Sequence, residues 1–546
     1  MKIYLIILAL FMLSFKCKKT ELEDLDANRI IVNEFTQTRV PLFMERDNKD
    51  LMMVKLDLTG EGTPVILEQV EVEFKEGSDL TGIDFIAITH TTTTPSEEQA
   101  VTGKINSKKG SAVMHVKKEL EPGINFFNID VILKENPAML SHFQVDKIRF
   151  HFSNHPTVEA EPESDFTYRV ARVLRAAGED NCHTYRIPGL ITTAKGTLIA
   201  VYDNRYNNSK DLQEDIDVGM SRSTDGGQTW EPMKVIMDMG EWGGRPERLN
   251  GIGDPSILYD HTTHTIWVAG LWMSGATEKD MLWWASKPGM EPHETGQFIL
   301  VKSTDDGVTW SEPVNITKQI KDPSWQLLLQ GPGKGITLAD STLIFPAQFK
   351  ADTGVKALDG GQYTSHSTII YSRDAGETWE IGTGAKPNTT EAQVVQLPDG
   401  SLMLNMRDDL NRTVKDENNG RAVAVTSDLG KTWNVHPSSN SVLTEPNCMA
   451  SIIAADIEAG GKKQQVLFFS NPNHKETRTN MTIKTSFDGG LSWPEENQVE
   501  LYAPAGFGYS CMTMVDENTI GIVYEGVREL YFQKVPVKDL LKNSLD

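Results

Sequence analysis

One short motif recurs five times in the second half of the chain. Each copy has a hydroxyl residue, Asp two positions later, Gly four positions later, and then a hydroxyl residue followed by Trp. We call this motif the Asp-Gly box; its copies are STDGGQTW, STDDGVTW, SRDAGETW, TSDLGKTW and SFDGGLSW. The Asp carboxylate accepts local backbone N–H bonds and Gly permits a positive φ, so each box predicts a tight turn that supports structure.

The spacing of the boxes predicts the architecture. They begin at residues 223, 303, 372, 426 and 486, and each falls between two of six short apolar strands that begin at residues 196, 264, 341, 400, 464 and 518. Repeats of this length are typical of propeller blades. We therefore predict a six-bladed β-propeller over residues 165–546, whose last blade lacks a box. A strand near Thr167 is expected to complete that blade and close the ring.

The region before the propeller is also predicted to be all-β. Residues 30–152 contain strand-like runs such as EQVEVEF and NFFNIDVIL, separated by polar turns and without helical periodicity. We expect a β-sandwich over residues 25–155. The stretch SNHPTVEAEPESD from Ser153 has the composition of a linker.

The first residues predict export from the cytoplasm. Lys2 precedes an apolar run from Ile3 to Phe15 that is too short to cross a bilayer but fits a secretory signal over residues 1–17. Cys17 stands where bacterial lipoproteins carry their lipidated cysteine, although Lys16 replaces the small residue usual before it. The expected location is the periplasm, the outer membrane through a lipid anchor, or the extracellular medium. The other cysteines show no disulfide or metal spacing and are expected to be buried.

The charge of the chain limits its partners. The 546 residues include 53 basic and 76 acidic residues, a net charge of -23. Nucleic-acid binding is therefore disfavoured, because phosphate contacts need a basic face. This net negative charge repels an anionic ligand at long range, so the binding site of such a ligand must contain enough positive charge to outweigh the repulsion. Four arginines stand at or near ends of predicted strands, namely Arg186, Arg205, Arg407 and Arg478. Arginine is suited to binding a planar carboxylate through paired hydrogen bonds.

Several further motifs carry a family resemblance. They are YRIP at 185–188, GDPS at 253–256, TEAQ at 390–393, NMRD at 405–408 and GYS at 508–510. In this order, and together with the boxes, they resemble the bacterial exo-α-sialidases, also called neuraminidases, from Thr167 to the C-terminus. The resemblance implies a propeller that releases terminal α-linked sialic acid from glycoproteins, glycolipids and oligosaccharides. The N-terminal sandwich is similar to the lectin-like domain often attached to such enzymes.

The resemblance also implies roles for nine residues. Arg186, Arg407 and Arg478 would bind the substrate carboxylate, and Glu525 would hold Arg186 in position. Arg205 and Asp254 would line the pocket near the O4 and N-acetyl side of the sugar. Tyr509 would be the nucleophile and Glu391 its base, an arrangement that suits an anomeric carbon bearing a carboxylate, because a neutral tyrosine avoids repulsion between anions. The acid/base aspartate is expected to be Asp211.

Several alternatives remain open at this stage. Asp215 and Asp217 are rivals of Asp211, although Asp217 fits better in the strand that leads to the first box. Trp283 and Trp284 either stack on sugar or pack within the fold, and we leave them out of the predicted site. We expect no metal and no cofactor, and the oligomeric state is undetermined. The rival functions are a trans-sialidase and a sialic-acid-binding lectin without turnover. Every predicted site residue lies beyond the linker, so the sequence predicts that the propeller alone acts on a small substrate.

Overall fold

The computed structural model describes residues 28–541, except residues 61, 93–99, 107–109, 212, 274 and 460. The predicted export signal and Cys17 lie outside this range. Among the described residues, no helix has the length and apolar character needed to cross a membrane. Helical structure is confined to short turns, of which the α-helical ones are α1 (Leu282–Ala285) and α2 (Thr317–Ile320).

The N-terminal region is built from strands, as predicted. They are β1 (Arg29–Gln37), β2 (Leu42–Phe43), β3 (Asn48–Thr59), β4 (Ile66–Phe74), β5 (Ile83–Thr92), β6 (Ala100–Asn106), β7 (Ser111–Glu119), β8 (Gly123–Leu133), β9 (His142–Phe143), β10 (Val145–Phe152) and β11 (Val158–Ala160). Nine of them pair in the order β1-β3-β8-β5-β6-β7-β4-β10-β11. Phe127 of β8 contacts Phe150 of β10 with ring centroids 4.9 Å apart, so the two halves of this sheet pack face to face as a β-sandwich.

One part of the predicted linker is ordered structure. Residues 158–160, read as linker from their composition, form strand β11, which pairs antiparallel with β10. Its acidic and proline-rich sequence is compatible with this position because the strand lies at the edge of the sheet.

Beyond residue 165, the described residues form six sheets, which are the blades of the propeller. In chain order the strands are β12 (Tyr168–Arg175), β13 (Thr184–Thr192), β14 (Leu198–Arg205), β15 (Ile216–Ser223), β16 (Lys234–Met237), β17 (Ile252–Asp260), β18 (Thr265–Trp272), β19 (Gln297–Ser303), β20 (Val314–Asn315), β21 (Leu327–Gln330), β22 (Gly333–Lys334), β23 (Ile336–Thr337), β24 (Leu343–Ala351), β25 (Thr364–Ser372), β26 (Glu380–Ile381), β27 (Lys386–Pro387), β28 (Thr389–Gln396), β29 (Leu402–Asp408), β30 (Ala422–Thr426), β31 (Asn434–Val435), β32 (Ser451–Ala459), β33 (Lys462–Pro472), β34 (Met481–Ser486), β35 (Gln498–Tyr502), β36 (Ser510–Asp516), β37 (Thr519–Glu525) and β38 (Leu530–Pro536). The blades consist of β13–β16, β17–β20 with β22, β21 with β23–β27, β28–β31, β32–β35, and β36–β38 with β12.

The ring closes through the strand predicted near Thr167. That strand is β12, which pairs antiparallel with β38 and so becomes an outer strand of the last blade. On the inner side, β13 of the first blade contacts β36 of the last blade and β17 of the second. The chain therefore starts and ends the propeller in the same blade, which joins its two ends without a disulfide.

The five Asp-Gly boxes share one hydrogen-bond pattern. In the third box, Asp374 Oδ1 accepts from Ser372 Oγ at 2.8 Å and from the backbone N–H of Thr378 at 2.9 Å, and Oδ2 accepts from Thr378 Oγ1. These hydrogen bonds lower the pKa of Asp374 to about 2. The boxes thus support the blade turns, and none of their aspartates lines the cavity described below.

Each box also contacts the preceding blade. Gly376 has φ +87°, and a Cβ on it would lie 2.4 Å from the Trp267 ring of the second blade. Gly227 of the first box lies in the same way against Phe532 of the last blade. The repeated glycine therefore serves both the turn and the close approach of neighbouring blades.

The sandwich and the propeller share strand pairing and core. Strand β2 pairs in parallel with β12 of the last blade, and the Phe43 ring lies 4.6 Å from that of Tyr531. Tyr168 of β12 donates a hydrogen bond to the Leu51 carbonyl in the sandwich. Strand pairing and buried apolar side chains therefore link the last blade to the N-terminal region.

Candidate active site

Irregular backbone in the innermost strands shapes the site. Strand β13 is bulged at Ile187, which has φ 58°, and β17 is bulged at Asp254, which has φ 54°. A positive φ is unfavourable for residues other than glycine, most of all for a β-branched isoleucine. Bulges re-aim the side chains next to them. Here they lie beside Arg186 and at Asp254 itself, and strain of this kind is concentrated at functional sites.

Three predicted arginines converge on Tyr509 from three different blades. Tyr509 lies just before β36, and its ring has the guanidinium carbon of Arg186 at 5.1 Å and that of Arg478 at 5.6 Å. Arg407, at the end of β29, donates from Nη1 to the tyrosine oxygen at 3.2 Å. The structure therefore groups three cations around one aromatic side chain.

A hydrogen bond joins Tyr509 to Glu391 inside the site. The Tyr509 hydroxyl donates to Glu391 Oε1, and the other oxygen of Glu391 accepts from Arg407 Nη1 at 2.7 Å. Burial, with a further contribution from the charge of Glu391, raises the pKa of Tyr509 well above its usual value. The tyrosine is therefore neutral at rest and has an acceptor in place for its proton.

Glu525 connects Arg186 to the backbone at Ile187 and Tyr509. Its Oε1 accepts from Arg186 Nε at 3.1 Å and from the backbone N–H of Ile187 at 2.8 Å. Its Oε2 accepts from the backbone N–H of Tyr509 at 2.9 Å. Since the Glu525 side chain is fully buried, these bonds fix Arg186 relative to the tyrosine.

A second group of charges forms the opposite wall. Arg205 lies between Asp203, which accepts from its Nε at 3.0 Å, and Asp211, which accepts from its Nη1. Asp211 Oδ1 also lies 3.4 Å from Arg186 Nη1. Partial desolvation inside the site raises the pKa of Asp211, although its side chain is 59% exposed to solvent. The charges of Arg205 and Arg186 outweigh this effect and lower the pKa to about 2. Burial and the charges of Asp203 and Asp211 raise the pKa of Asp254 well above its usual value.

The two rival aspartates lie away from this wall. Asp217 is in β15 and accepts a hydrogen bond from Tyr206 Oη, and neither Asp217 nor Asp215 lines the cavity. Burial raises the pKa of Asp217 to about 7 and that of Asp215 to about 6. A pKa near neutrality alone would favour Asp217 as a general acid. A general acid must first lie within reach of the atom that it protonates. Asp211 lines the cavity and Asp217 does not, so the position of the side chains favours Asp211.

The site encloses a cavity of about 340 Å³. Six of the nine predicted residues line it, namely Arg205, Asp211, Asp254, Glu391, Arg407 and Tyr509. The other three, Arg186, Arg478 and Glu525, contact those residues from behind or beside. The apolar part of the wall includes Leu271, Met273, Leu282 and Leu327. This mixture of a few convergent charges and an apolar surface is typical of small-molecule sites.

Sequence reasoning left several site residues out. Trp283 and Trp284 both line the cavity, and Trp284 is 50% exposed. Lys350 Nζ lies 4.0 Å from the Trp283 ring and 4.6 Å from the Trp284 ring, and its partner is the buried Asp359. The two adjacent tryptophans are evident in the sequence, but they belong to no repeat or motif that would assign them to the site. Asp203, which holds Arg205, stood two residues before it in the same strand.

The described residues contain no group of three His, Cys, Asp or Glu side chains arranged to hold a metal ion. The three described cysteines, Cys182, Cys448 and Cys511, are free and buried, as expected. Cys448 packs beside Tyr509, and burial raises the pKa of its thiol to about 11. The thiol is therefore protonated at neutral pH and contributes packing to the floor of the site.

Comparisons with known proteins identify the family of the chain. Residues 196–522 match the family of BNR repeat-like domains. The chain is 42% identical to a sialidase of Bacteroides fragilis over 545 residues, which cover 94% of this chain and 96% of the relative. The solved structure of a Hadza microbial sialidase superposes with a TM-score of 0.76 at 38% identity, covering 93% of this chain and 99% of the other.

A more distant structure shares the fold. The intramolecular trans-sialidase of Ruminococcus gnavus matches with a TM-score of 0.53 at 19% identity, over 68% of this chain and 98% of the other. The identity to the two sialidases extends over almost the whole chain, including the N-terminal sandwich. The chain therefore belongs to the bacterial sialidase family and is an exo-α-sialidase that acts on sialylated glycans.

Proposed function

We propose that this sialidase is a retaining enzyme that uses Tyr509 as its nucleophile. The observation that carries the proposal is the hydrogen bond from Tyr509 to Glu391, with Arg407 bonded to both. Arg407 bonds to one oxygen of Glu391, and the other oxygen is in place to accept the tyrosine proton as the C–O bond forms. A neutral nucleophile also avoids repulsion from the substrate carboxylate, which Arg186, Arg407 and Arg478 bind.

The first step is a displacement at the anomeric carbon. Tyr509 Oη forms a bond to that carbon and its proton passes to Glu391. The bond from the anomeric carbon to the glycosidic oxygen breaks, and this oxygen leaves with a proton from Asp211. In the second step water attacks the same carbon and gives a proton to Asp211, while the tyrosine oxygen leaves and recovers its proton from Glu391. Two inversions retain the α-configuration.

Asp211 needs a proton in the first step, whereas in the free site it is ionised. Its only arginine partners in the described structure are Arg205 and Arg186, and its side chain is 59% exposed. A substrate carboxylate that binds Arg186 competes with Asp211 for this cation and brings a further negative charge. Both effects raise the pKa of Asp211. We propose that substrate binding thereby converts Asp211 into the general acid.

Nuclear magnetic resonance tests the proposal directly. During cleavage of an α-sialoside, the account expects the α-anomer of free sialic acid to appear first and then to equilibrate. A β-anomer formed first would exclude the double displacement. An anhydro sugar, or a sugar transferred to another hydroxyl, would show that the same covalent step serves a trans-sialidase. A folded protein that binds the sialoside without any product would identify a lectin.

We also propose that the protein is exported. The support is the apolar run from Ile3 to Phe15 between lysines, which fits a secretory signal. Mass spectrometry of the mature protein from its native cells is expected to show loss of the first residues, with a diacylglycerol adduct on Cys17 if the signal is of the lipoprotein type. An intact Met1 in the mature protein would contradict export through this signal.

A further inference from the structure

Asn447 contacts two of the three arginines around Tyr509. Its Oδ1 accepts from Arg407 Nη2 at 2.9 Å and Nε at 3.3 Å, and its backbone carbonyl accepts from Arg478 Nη2 at 3.2 Å. The residue is 7% exposed and has φ 57°. Asparagine tolerates this left-handed conformation better than most residues and can hold its side chain against a neighbouring backbone.

The contacts determine which arginine N–H groups remain for a ligand. Nε and one Nη2 hydrogen of Arg407 are directed to Asn447, and Nη1 is directed to Glu391 and Tyr509. Arg478 donates from Nη1 to the Phe507 carbonyl at 2.7 Å and from Nη2 to Asn447. Among the hydrogen bonds of the described residues, Arg407 therefore has one Nη2 hydrogen left for a ligand. Arg478 has its Nε–H and one hydrogen on each of Nη1 and Nη2 left.

Asn447 is itself held firmly. Its Nδ2 donates to the Asp408 carbonyl at 2.9 Å. Two residues earlier, the buried Glu445 accepts from the Asp408 backbone N–H and from the fully buried Arg421. Arg421 also donates to the Cys448 carbonyl at 2.6 Å. The segment 445–448 is therefore bonded through Glu445 and Asn447 to Asp408 at the end of β29, the strand that carries Arg407. Through Glu445 and Cys448 it is also bonded to Arg421.

We propose that Asn447 is a positioning residue that orients Arg407 and Arg478 as one unit for the carboxylate of the substrate. The inference depends on the proposed role of these arginines. A displacement of about 1 Å in a group that positions the substrate lowers the reaction rate roughly a hundredfold. The loop joins arginines from the fourth and fifth blades, which no strand pairing connects.

The test combines kinetics with binding of the 2,3-unsaturated analogue of sialic acid, which carries the same carboxylate. Asn447→Gly keeps a residue that accepts a positive φ and removes the side chain. We expect its KM, and the Kd of the analogue measured by calorimetry, to rise about 10- to 100-fold with a smaller change in kcat. Asn447→Asp retains an oxygen facing Arg407 and is expected to restore part of the loss. Asn440→Gly is the matched control, because Asn440 has φ 53° but bonds to Asp408 and Gly420 and to neither arginine.

A double-mutant cycle separates positioning from general loss of structure. In an Arg407→Lys background, Asn447→Gly is expected to raise KM and the Kd of the analogue by less than about threefold, because the effects of residues that act as a unit are not additive. In an Asp211→Asn background its full effect should remain. Wild-type KM and Kd in Asn447→Gly, or full additivity with Arg407→Lys, would overturn the inference. If Arg407→Lys itself left the Kd of the analogue unchanged, the proposed carboxylate site would be wrong as well.

Discussion

At the scale of single residues, the proposed reaction depends on the position of one proton between Tyr509 and Glu391. Tyr509→Phe keeps the ring that packs against Ile187, Cys448 and Met449 but removes the attacking oxygen. We expect kcat to fall on the order of 10³-fold or more while the Kd of the unsaturated analogue changes little. Glu391→Gln should be similarly impaired, and the double variant little worse than either single one. Independent, multiplicative losses would show that the two residues do not act together.

The pKa of Asp211 leads to a prediction about the pH dependence of kcat and kcat/KM. Arg205 and Arg186 lower the pKa of Asp211 to about 2 in the free site, and the proposed acid role requires a higher pKa once substrate is bound. The alkaline limb of kcat, which reports the complex, is therefore expected at higher pH than that of kcat/KM, which reports the free enzyme. Steady-state kinetics across pH provide the measurement.

A leaving-group comparison isolates the role of Asp211. Asp211→Asn should retain far more activity on an aryl sialoside with a good leaving group, which needs no proton, than on a natural glycan. Asp217→Asn is the control and should show no such difference between substrates, because Asp217 lies outside the cavity. Equal losses of Asp211→Asn on both substrates would argue against the acid role.

Five of the nine residues that the sequence identified stand in motifs. Arg186, Asp254, Glu391, Arg407 and Tyr509 all lie in short recognisable stretches, and the structure brings them together. Asn447 was missed because its function depends on an irregular loop whose position follows from buried bonds of Glu445 and Arg421. Such a loop has neither a period nor a motif, so only the folded structure reveals which arginine its side chain contacts.

At the scale of elements, the Asp-Gly boxes are predicted to stabilise the contacts between blades. Gly376→Ala places a Cβ 2.4 Å from the Trp267 ring at a positive φ. We expect a loss of roughly 1–3 kcal/mol in the free energy of unfolding, the usual cost of overpacking, with kcat per folded molecule unchanged. Chemical denaturation monitored by tryptophan fluorescence measures it.

Gly400→Ala is the matched control for this substitution. Gly400 has φ +85°, but no atom lies within 4 Å of a Cβ placed on it. The stability lost in Gly400→Ala therefore measures the backbone strain alone. The additional loss in Gly376→Ala measures the contact between blades. Equal destabilisation of both would contradict the role of the box glycine at the blade interface.

The sequence predicted these elements well because their signals are local. A box contains its own acceptor, donors and turn glycine, so its hydrogen bonds form within eight residues. The contact of each box with the preceding blade is a tertiary property and was not predicted. Strand β11 was missed for a related reason, since its composition resembles a linker and its pairing with β10 supplies the order.

At the scale of the whole molecule, the structure argues against an independent propeller. Removal of residues 1–164 would take away β2, which pairs with β12, and would expose the surface that Phe43 covers on Tyr531. We expect the shortened chain to have a lower Tm and to aggregate, with loss of activity even on a small aryl sialoside. Calorimetry with an activity assay is the measurement.

A substitution in the full chain serves as the control for this truncation. Phe43→Ala keeps the sandwich and removes only the ring at the junction, at an expected cost of about 3–5 kcal/mol. A shortened chain with the Tm and kcat of the full protein would show that the propeller folds alone. The sequence favoured that independence because all site residues follow residue 165, and it gave no sign that β2 joins the last blade.

The most direct test of the account is to trap the covalent intermediate. A fluorinated sialic acid with a good leaving group should form an adduct that hydrolyses slowly, because fluorine destabilises the oxocarbenium-like transition states of both steps. Digestion and mass spectrometry of the trapped enzyme are expected to place the sugar on Tyr509, in the peptide containing AGFGYSCM. A sugar adduct on Glu391 or Asp211 would contradict the tyrosine nucleophile.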